Sequence, residues 1–329
     1  MRFTTTVSTL AVLTGLSLAA GAAQAAPFTF LQGGFTQQVF AVYPTFLGGV
    51  AFAPDADVCA NTCVGAGGSM IRFDFQTTYI ANATTLHPQV PGSPFISNLG
   101  CGLANHNNLD LYSNTSSGVT RTSAANGAPL GGPFGPGGNA LGIAVDPQAP
   151  NDLIYVRGDG AIVRVDQNLT TFSVISTVTS SNFIDGISFD PSGNFIFCSN
   201  RSPLFRLTIL TRAGVLVQHV PMTSEPDGVS FNSALNFVVT NNNDGTMTRF
   251  DFPGNNFTLA PSISLFASGG FRGDLSQVGT DGCIYLTQAG TRYDNSLVTN
   301  ENSIVRICGN FTPVPAKKST WGALKAMYR

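Results

Sequence analysis

The sequence predicts an all-β protein, a six-bladed β-propeller of four-stranded blades, and three observations carry that expectation. A short inner-strand motif recurs six times, apolar residues within each copy alternate with a period of two, and the body shows no helical periodicity. Composition agrees: 43% of residues are hydrophobic, 25 are Phe, and only 10% are charged. That leaves ample apolar surface to bury and too few charges for a long-helix protein.

The motif is plainest in Leu141-Gly142-Ile143-Ala144-Val145-Asp146-Pro147, Asp185-Gly186-Ile187-Ser188-Phe189-Asp190-Pro191 and Asp227-Gly228-Val229-Ser230-Phe231-Asn232. Weaker copies are Gly49-Val50-Ala51-Phe52-Ala53-Pro54, Gly102-Leu103-Ala104 and Asp274-Leu275-Ser276-Gln277-Val278. Positions 49, 102, 142, 186, 228 and 274 are separated by 53, 40, 44, 42 and 46 residues, the spacing of propeller blades. Ile187, Phe189, Phe195 and Phe197 alternate with polar residues, as strands do. Asp190-Pro191-Ser192-Gly193 between them is turn chemistry, because Pro presets φ and Gly accepts a positive one.

A third strand repeats around arginine: Arg72, Arg121, Arg164, Arg206, Arg249 and Arg306 hold one position in successive copies. We read them as strand-face arginines pairing with a neighbouring blade rather than as an anion-binding ring. Gly131 to Gly138 reads as a flexible inter-blade loop; it lacks the Gly-Lys-Ser/Thr ending of a phosphate loop. Gln37 to Tyr43 precedes the first inner strand and is expected to supply the outer strand of the last blade, closing the ring. A lone four-stranded sheet cannot bury both faces, whereas six set radially cover one another.

The ends read differently from the body (residues 26–311). Residues 1–25 have the form of a cleaved signal peptide: Arg2, an apolar stretch from Val7 to Ala20, then Ala23-Gln24-Ala25 as the small-x-small cleavage site. No later stretch is long and apolar enough to be a transmembrane segment. The expected address is therefore secreted, extracellular or periplasmic, in a bacterium. The body carries 11 Arg, no Lys and all 18 acids, whereas Lys317, Lys318 and Lys325 fall in the basic C-terminal tail, residues 312–329. With Trp321 and Tyr328, that tail reads as a surface-attachment or sorting segment. A net charge of −2 gives no reason to expect a nucleic-acid partner.

Six cysteines in an exported chain read as disulfides rather than zinc ligands, since their spacings repeat no ligand pattern. Cys59 and Cys63 are expected to close a small local loop, and Cys283 and Cys308 to face each other on neighbouring antiparallel strands. Cys101 is left over, and Cys198, in an apolar strand, reads as a buried thiol.

The Pro226-Asp227-Gly228-Val229-Ser230-Phe231, Asp185 to Asn194 and Asp281-Gly282-Cys283-Ile284-Tyr285 pieces resemble those of the senescence-marker-protein/gluconolactonase group and of NHL-repeat propellers. The resemblance implies a divalent cation, commonly calcium, in the central channel, held by a Glu, an Asn and the Asp of a Pro-Asp-Gly. That Asp carries over onto Asp227, which would also be the general base. Asp185 holds the equivalent place one blade earlier, and Asp274 falls one position late yet within reach of the channel mouth. Gly48-Gly49 stand where the family has its Glu, and Leu141 where another polar ligand would stand.

Read as chemistry, Asp185, Asp227 and Asp274 offer hard oxygens for Ca2+ or another divalent cation, and crowded carboxylates raise one another's pKa. Against this, an Asp before Gly also caps a tight strand start through its own backbone. His106 is the one histidine placed near the channel face, while His87 and His219 read as structural. The sequence holds no Gly-x-Ser-x-Gly elbow and no organic-cofactor motif. The leading expectation is a propeller that binds a small molecule, carbohydrate or protein partner through its channel face, with a cation. The alternative is a metal-dependent lactonase or esterase-type hydrolase, and a lyase of the streptogramin-cleaving type is a third reading that would rest on His106.

Overall fold

The computed structural model describes residues 28–30, 32–63, 68–81, 84–106, 110–180, 182–232, 237–289 and 302–309. The expected signal peptide, residues 1–25, and the tail, residues 312–329, lie outside the described residues. Within them the chain forms six antiparallel sheets, each running from an inner to an outer strand. Blade 1 comprises Leu47–Phe52, Val58–Thr62, Gly68–Phe73 and Phe95–Leu99, and blade 2 Gly102–Asn105, Asp110–Thr115, Gly118–Ser123 and Pro129–Phe134. Blade 3 comprises Gly138–Val145, Leu153–Arg157, Ile162–Val165 and Phe172–Ser176, and blade 4 Phe183–Phe189, Phe195–Ser202, Arg206–Thr211 and Leu216–Pro221. Blade 5 comprises Pro226–Asn232, Phe237–Asn242, Met247–Asp251 and Ser262–Ser268, with Thr29–Phe30 added as a fifth strand. Blade 6 comprises Arg272–Val278, Ile284–Ala289, Asn302–Gly309 and, as its outer strand, Phe35–Tyr43.

The N-terminal strand therefore shuts the ring, as the placement of Gln37 to Tyr43 before the first motif implied. Thr36 pairs with Cys308 and Val42 with Ser303. The Gln37 side chain reaches back to both the N–H and the carbonyl of Phe28, which fixes the segment leading from blade 5 to blade 6. The long first interval has a cause too. A hairpin, Tyr79–Ala81 and Thr84–Leu86, is inserted between the third and outer strands of blade 1. His87, just after it, stacks on Phe40 of the closing strand with ring centroids 4.0 Å apart.

The core is a set of inter-blade seams, one cluster per pair of facing sheets. Between blades 4 and 5, for example, Phe197, Leu207 and Ile209 meet Val229, Val238 and Phe250. The glycine of the repeated motif lets inner strands approach. A Cβ at Gly186 would stand 2.6 Å from Val229 N, and one at Gly228 2.5 Å from Asp274 O, so neither position admits a side chain. In blades 4, 5 and 6 a polar residue of the second strand joins the seams: the Ser199 hydroxyl donates to Asp227 O, Asn241 Nδ2 to Asp274 O (3.0 Å), and Thr287 Oγ1 to Gly48 O (2.7 Å), each in the next blade.

Three expectations need correcting. Gly131 to Phe134 belongs to the outer strand of blade 2, so the glycine-rich run is sheet as well as connection. Five of the six repeated arginines pair chiefly inside their own blades, not across to a neighbour: Arg72 with Asp55 and Asp57, Arg121 with Asp110, Arg164 with Asp146, Arg249 with Asp251, and Arg306 with Asp281. In blades 1, 3 and 6 the acid comes from the turn between the first two strands, in blade 2 from the start of the second strand, and in blade 5 from the third strand itself. Finally, Cys59 is not bonded to Cys63. Four residues of extended strand span about 13 Å, beyond the reach of a disulfide. Instead Cys63 pairs with Cys101, tying blade 1 to blade 2 across a Cα–Cα distance of 4.7 Å. Cys283 pairs with Cys308, and Cys59 and Cys198 are buried thiols.

Candidate functional site

The channel has two mouths, one at the starts of the inner strands and one at their ends. At the strand-start mouth the inner strands of blades 1, 4, 5 and 6 each skip two residues of register. In blade 5, Pro226 pairs with Asn242 and Val229 with Thr240, so Asp227-Gly228 form a bulge. The same skip lies at Asp185-Gly186, where Ile184 pairs with Asn200 and Ile187 with Cys198. It recurs at Asp274-Leu275, where Gly273 pairs with Gln288 and Ser276 with Leu286. Bulges re-aim side chains, and here they bring Asp185, Asp227 and Asp274 into one row. Asp274 is thus in register with the other two rather than one position late; Leu275 fills the glycine's place.

The three carboxyl groups are buried, at 1%, 1% and 3% exposure. Asp227 lies between the others, in side-chain hydrogen-bond range of each. Among the described residues, neither of its oxygens meets an N–H or O–H donor from a neutral group. Arg201, from the end of the second strand of blade 4, puts Nη1 2.8 Å from Asp185 Oδ2 and 4.0 Å from Asp227 Oδ2. Its Nε is engaged by Glu225 at 2.6 Å. Arg272 stands on the rim, with Nε donating to Asn243 Oδ1 at 3.1 Å and its guanidinium 5.4 Å from the Phe46 ring centre. Among the described residues, four acids therefore face two guanidiniums, and only one guanidinium touches the row.

The pKa shifts follow from that arithmetic. Burial pushes Asp185 up to about 6, with Arg201 pulling the other way. Burial and then the charge of Asp185 push Asp274 up to about 7. Asp227 is raised well above the ordinary range by burial first, and then by the Asp274 and Asp185 charges. The row holds protons near neutrality unless a cation compensates it.

The remaining sequence candidates divide. Gly48 takes the register position of the three aspartates in blade 1, since Leu47 pairs with Thr62 and Val50 with Ala60. A Cβ there would stand 2.7 Å from Cys101 O and 2.8 Å from Asn61 Oδ1, so the Cys63–Cys101 link leaves no room for an acidic side chain. His106 is at the other mouth and turned away from the channel: it is buried, Nε2 is 2.8 Å from Asn151 O, and its ring meets Tyr112 edge-on. His87 contacts Asp74 O through Nδ1, and His219 Nδ1 contacts Thr208 Oγ1, both structural arrangements. Asp281, Cys283 and Cys308 also come together, but both sulfurs are spent in the disulfide and Asp281 pairs with Arg306. Arg201 and Arg272 were not foreseen; the one signal was that neither belongs to the repeated third-strand position.

No family model matches the chain, and no curated protein matches it in sequence. Solved structures do match it as folds. The oxidoreductase (glucose dehydrogenase) of Thermus thermophilus aligns with a TM-score of 0.57 and 16% identity, covering 84% of this chain and 100% of its own. A gluconolactonase from Xanthomonas campestris aligns with a TM-score of 0.56 and 13% identity over 86% and 94%. The calcium-binding protein regucalcin from Agrobacterium tumefaciens aligns with a TM-score of 0.53 and 13% identity over 88% and 97%. At these identities the likeness is one of fold: the chain shares the β-propeller of gluconolactonase-type and glucose dehydrogenase proteins.

Proposed function

We propose that this protein is an exported propeller that binds a divalent cation, calcium by its ligand chemistry, at the strand-start mouth, and uses that face to hold a small molecule, carbohydrate or protein partner. The observation that carries the reading is the row of Asp185, Asp227 and Asp274, with the Asp227 oxygens buried and lacking a donor among the described residues. Hard carboxylate oxygens with carbonyls and water are what calcium takes, and a double positive charge offsets the surplus of acid over guanidinium. The calcium-binding description of the Agrobacterium neighbour supports the same chemistry. Two disulfides and the signal-like residues 1–25 support export. The basic tail, residues 312–329, would then serve attachment or sorting.

The second reading is a metal-dependent hydrolase of lactones or related esters, with Asp227 as base. Its support is the absence of a donor on Asp227 among the described residues, which leaves a carboxylate able to take a proton from water. The glycine pair of blade 1 argues for binding ahead of it. Calorimetric titration of calcium into the chelator-treated protein tests both readings. Binding lost in Asp185→Asn/Asp227→Asn supports a cation at the row, and a lactone and ester screen then separates binder from hydrolase. Binding indifferent to both substitutions, or no binding at all, refutes the proposal.

A further inference from the structure

The strand-end mouth holds a cavity of about 460 Å³ that the carboxylate row does not reach. Between the two the channel narrows to a void of about 20 Å³ walled by Val50, Leu103, Ile187, Val229 and Leu275 with the motif glycines. This apolar waist makes the cavity a blind pocket rather than a passage. Its volume lies within the range of small-molecule sites.

The lining is neutral in effect. One carboxylate borders it, Asp190, and its oxygens are spent on the turn, accepting from Ser192 N at 3.0 Å and Phe195 N at 2.7 Å. Asn105 is likewise engaged, its Oδ1 accepting from Phe52 N at 2.5 Å. A charged ligand entering here would lose its hydration with no counter-charge to meet.

What remains is a polar edge opposite apolar walls. Ser230 and Ser276, from the inner strands of blades 5 and 6, share a hydrogen bond of 2.8 Å and leave further donor and acceptor capacity. Gln277 borders the cavity as well, but its Oε1 is buried away from it, so the accessible polar edge is the serine pair. Ile143 and Phe231 supply apolar surface around them. An occupant must therefore be uncharged, bring hydroxyl-type groups to Ser230 and Ser276, and present C–H surface to the walls. A pyranose ring has that make-up, with hydroxyls on its rim and C–H groups on its faces.

We infer that the strand-end cavity is a second site, separate from the carboxylate mouth, which takes a neutral saccharide of one or two rings. Saturation-transfer NMR with glucose and maltose tests this on the full mature chain. Both the wild type and Asp227→Asn are expected to bind with millimolar affinity, whereas Ser230→Trp, which fills the cavity, removes binding. Ser276→Ala, which keeps the cavity open and deletes one of the two hydroxyls, weakens binding roughly tenfold. The inference is overturned if neither sugar binds at about 20 mM, or if binding persists in folded Ser230→Trp. Should Ser230→Trp fail to fold, an unchanged affinity in Ser276→Ala overturns it equally. Loss of binding in Asp227→Asn would place the sugar at the other mouth and likewise end the inference.

Discussion

Arg201 is held against Asp185 at 2.8 Å, so the guanidinium that touches the carboxylate row is anchored at one end of it. Removing it exposes how the row is compensated. In Arg201→Gln, Asp185 keeps its burial and loses its counter-charge, which costs stability in the absence of a cation. The same change makes the row more negative. At pH 8, calorimetry should therefore show calcium binding several-fold tighter than in the wild type, while the chelated variant melts earlier. Weaker calcium binding in the variant would contradict a cation at the row.

The pH dependence of stability has a definite sign. Asp185, raised to about 6, and Asp274, raised to about 7, bind protons more tightly folded than unfolded. Between the unfolded carboxylate range and those values the native state carries more protons, so stability falls as pH rises. In chelator the melting temperature should be lower at pH 8 than at pH 5 by roughly 5 °C or more. Saturating calcium should shrink the difference. A melt rising steadily from pH 5 to pH 8 in chelator would show that the row does not hold these protons.

Ser199 ties the inner strands of blades 4 and 5: its hydroxyl accepts from Gly186 N at 2.7 Å and donates to Asp227 O. Ser199→Ala should cost about 1–3 kcal/mol, because it leaves buried backbone groups without partners. Chemical denaturation measures this directly. A loss within experimental error would remove the side chain from any stitching role.

Cysteine chemistry separates the two classes of thiol. Cys59 and Cys198 are buried, and burial lifts both to about 12, so maleimide should leave them unmodified in the native protein. Cys63→Ser/Cys101→Ser should destabilise by about 2–4 kcal/mol, since the link closes a loop of 38 residues. Rapid native labelling of Cys59 would show that its thiol is neither buried nor held at so high a pKa.

The fold was readable from the sequence because each blade opens with a copy of the same inner-strand motif, and because the closing strand stands ahead of the first copy. The site was half readable. Asp185 and Asp227 precede glycines and could be picked out, but Asp274 precedes Leu275, and only strand register shows that a leucine there does the glycine's job. The disulfide pairing was hidden for a geometric reason: Cys63 and Cys101 are distant in sequence and adjacent only once blades 1 and 2 are packed. The second-strand residues Ser199, Asn241 and Thr287 had a faint signal, polar side chains in the half of the strand that follows an apolar run. Their role depends on carbonyls of the next blade, which no local pattern reveals.

The seam in blade 6 sets an order of events. Phe35–Tyr43, which precedes blade 1 in the chain, pairs along its length with Asn302–Gly309, which follows the other five blades. Such remote pairing is reached late, after the loop-closure entropy of the whole intervening chain has been met. A chain cut short before residue 302 would have five potential blades and an unsatisfied strand edge at the join, the surface on which chains pair with one another. For this protein, completeness of the polypeptide is itself a condition for escaping aggregation.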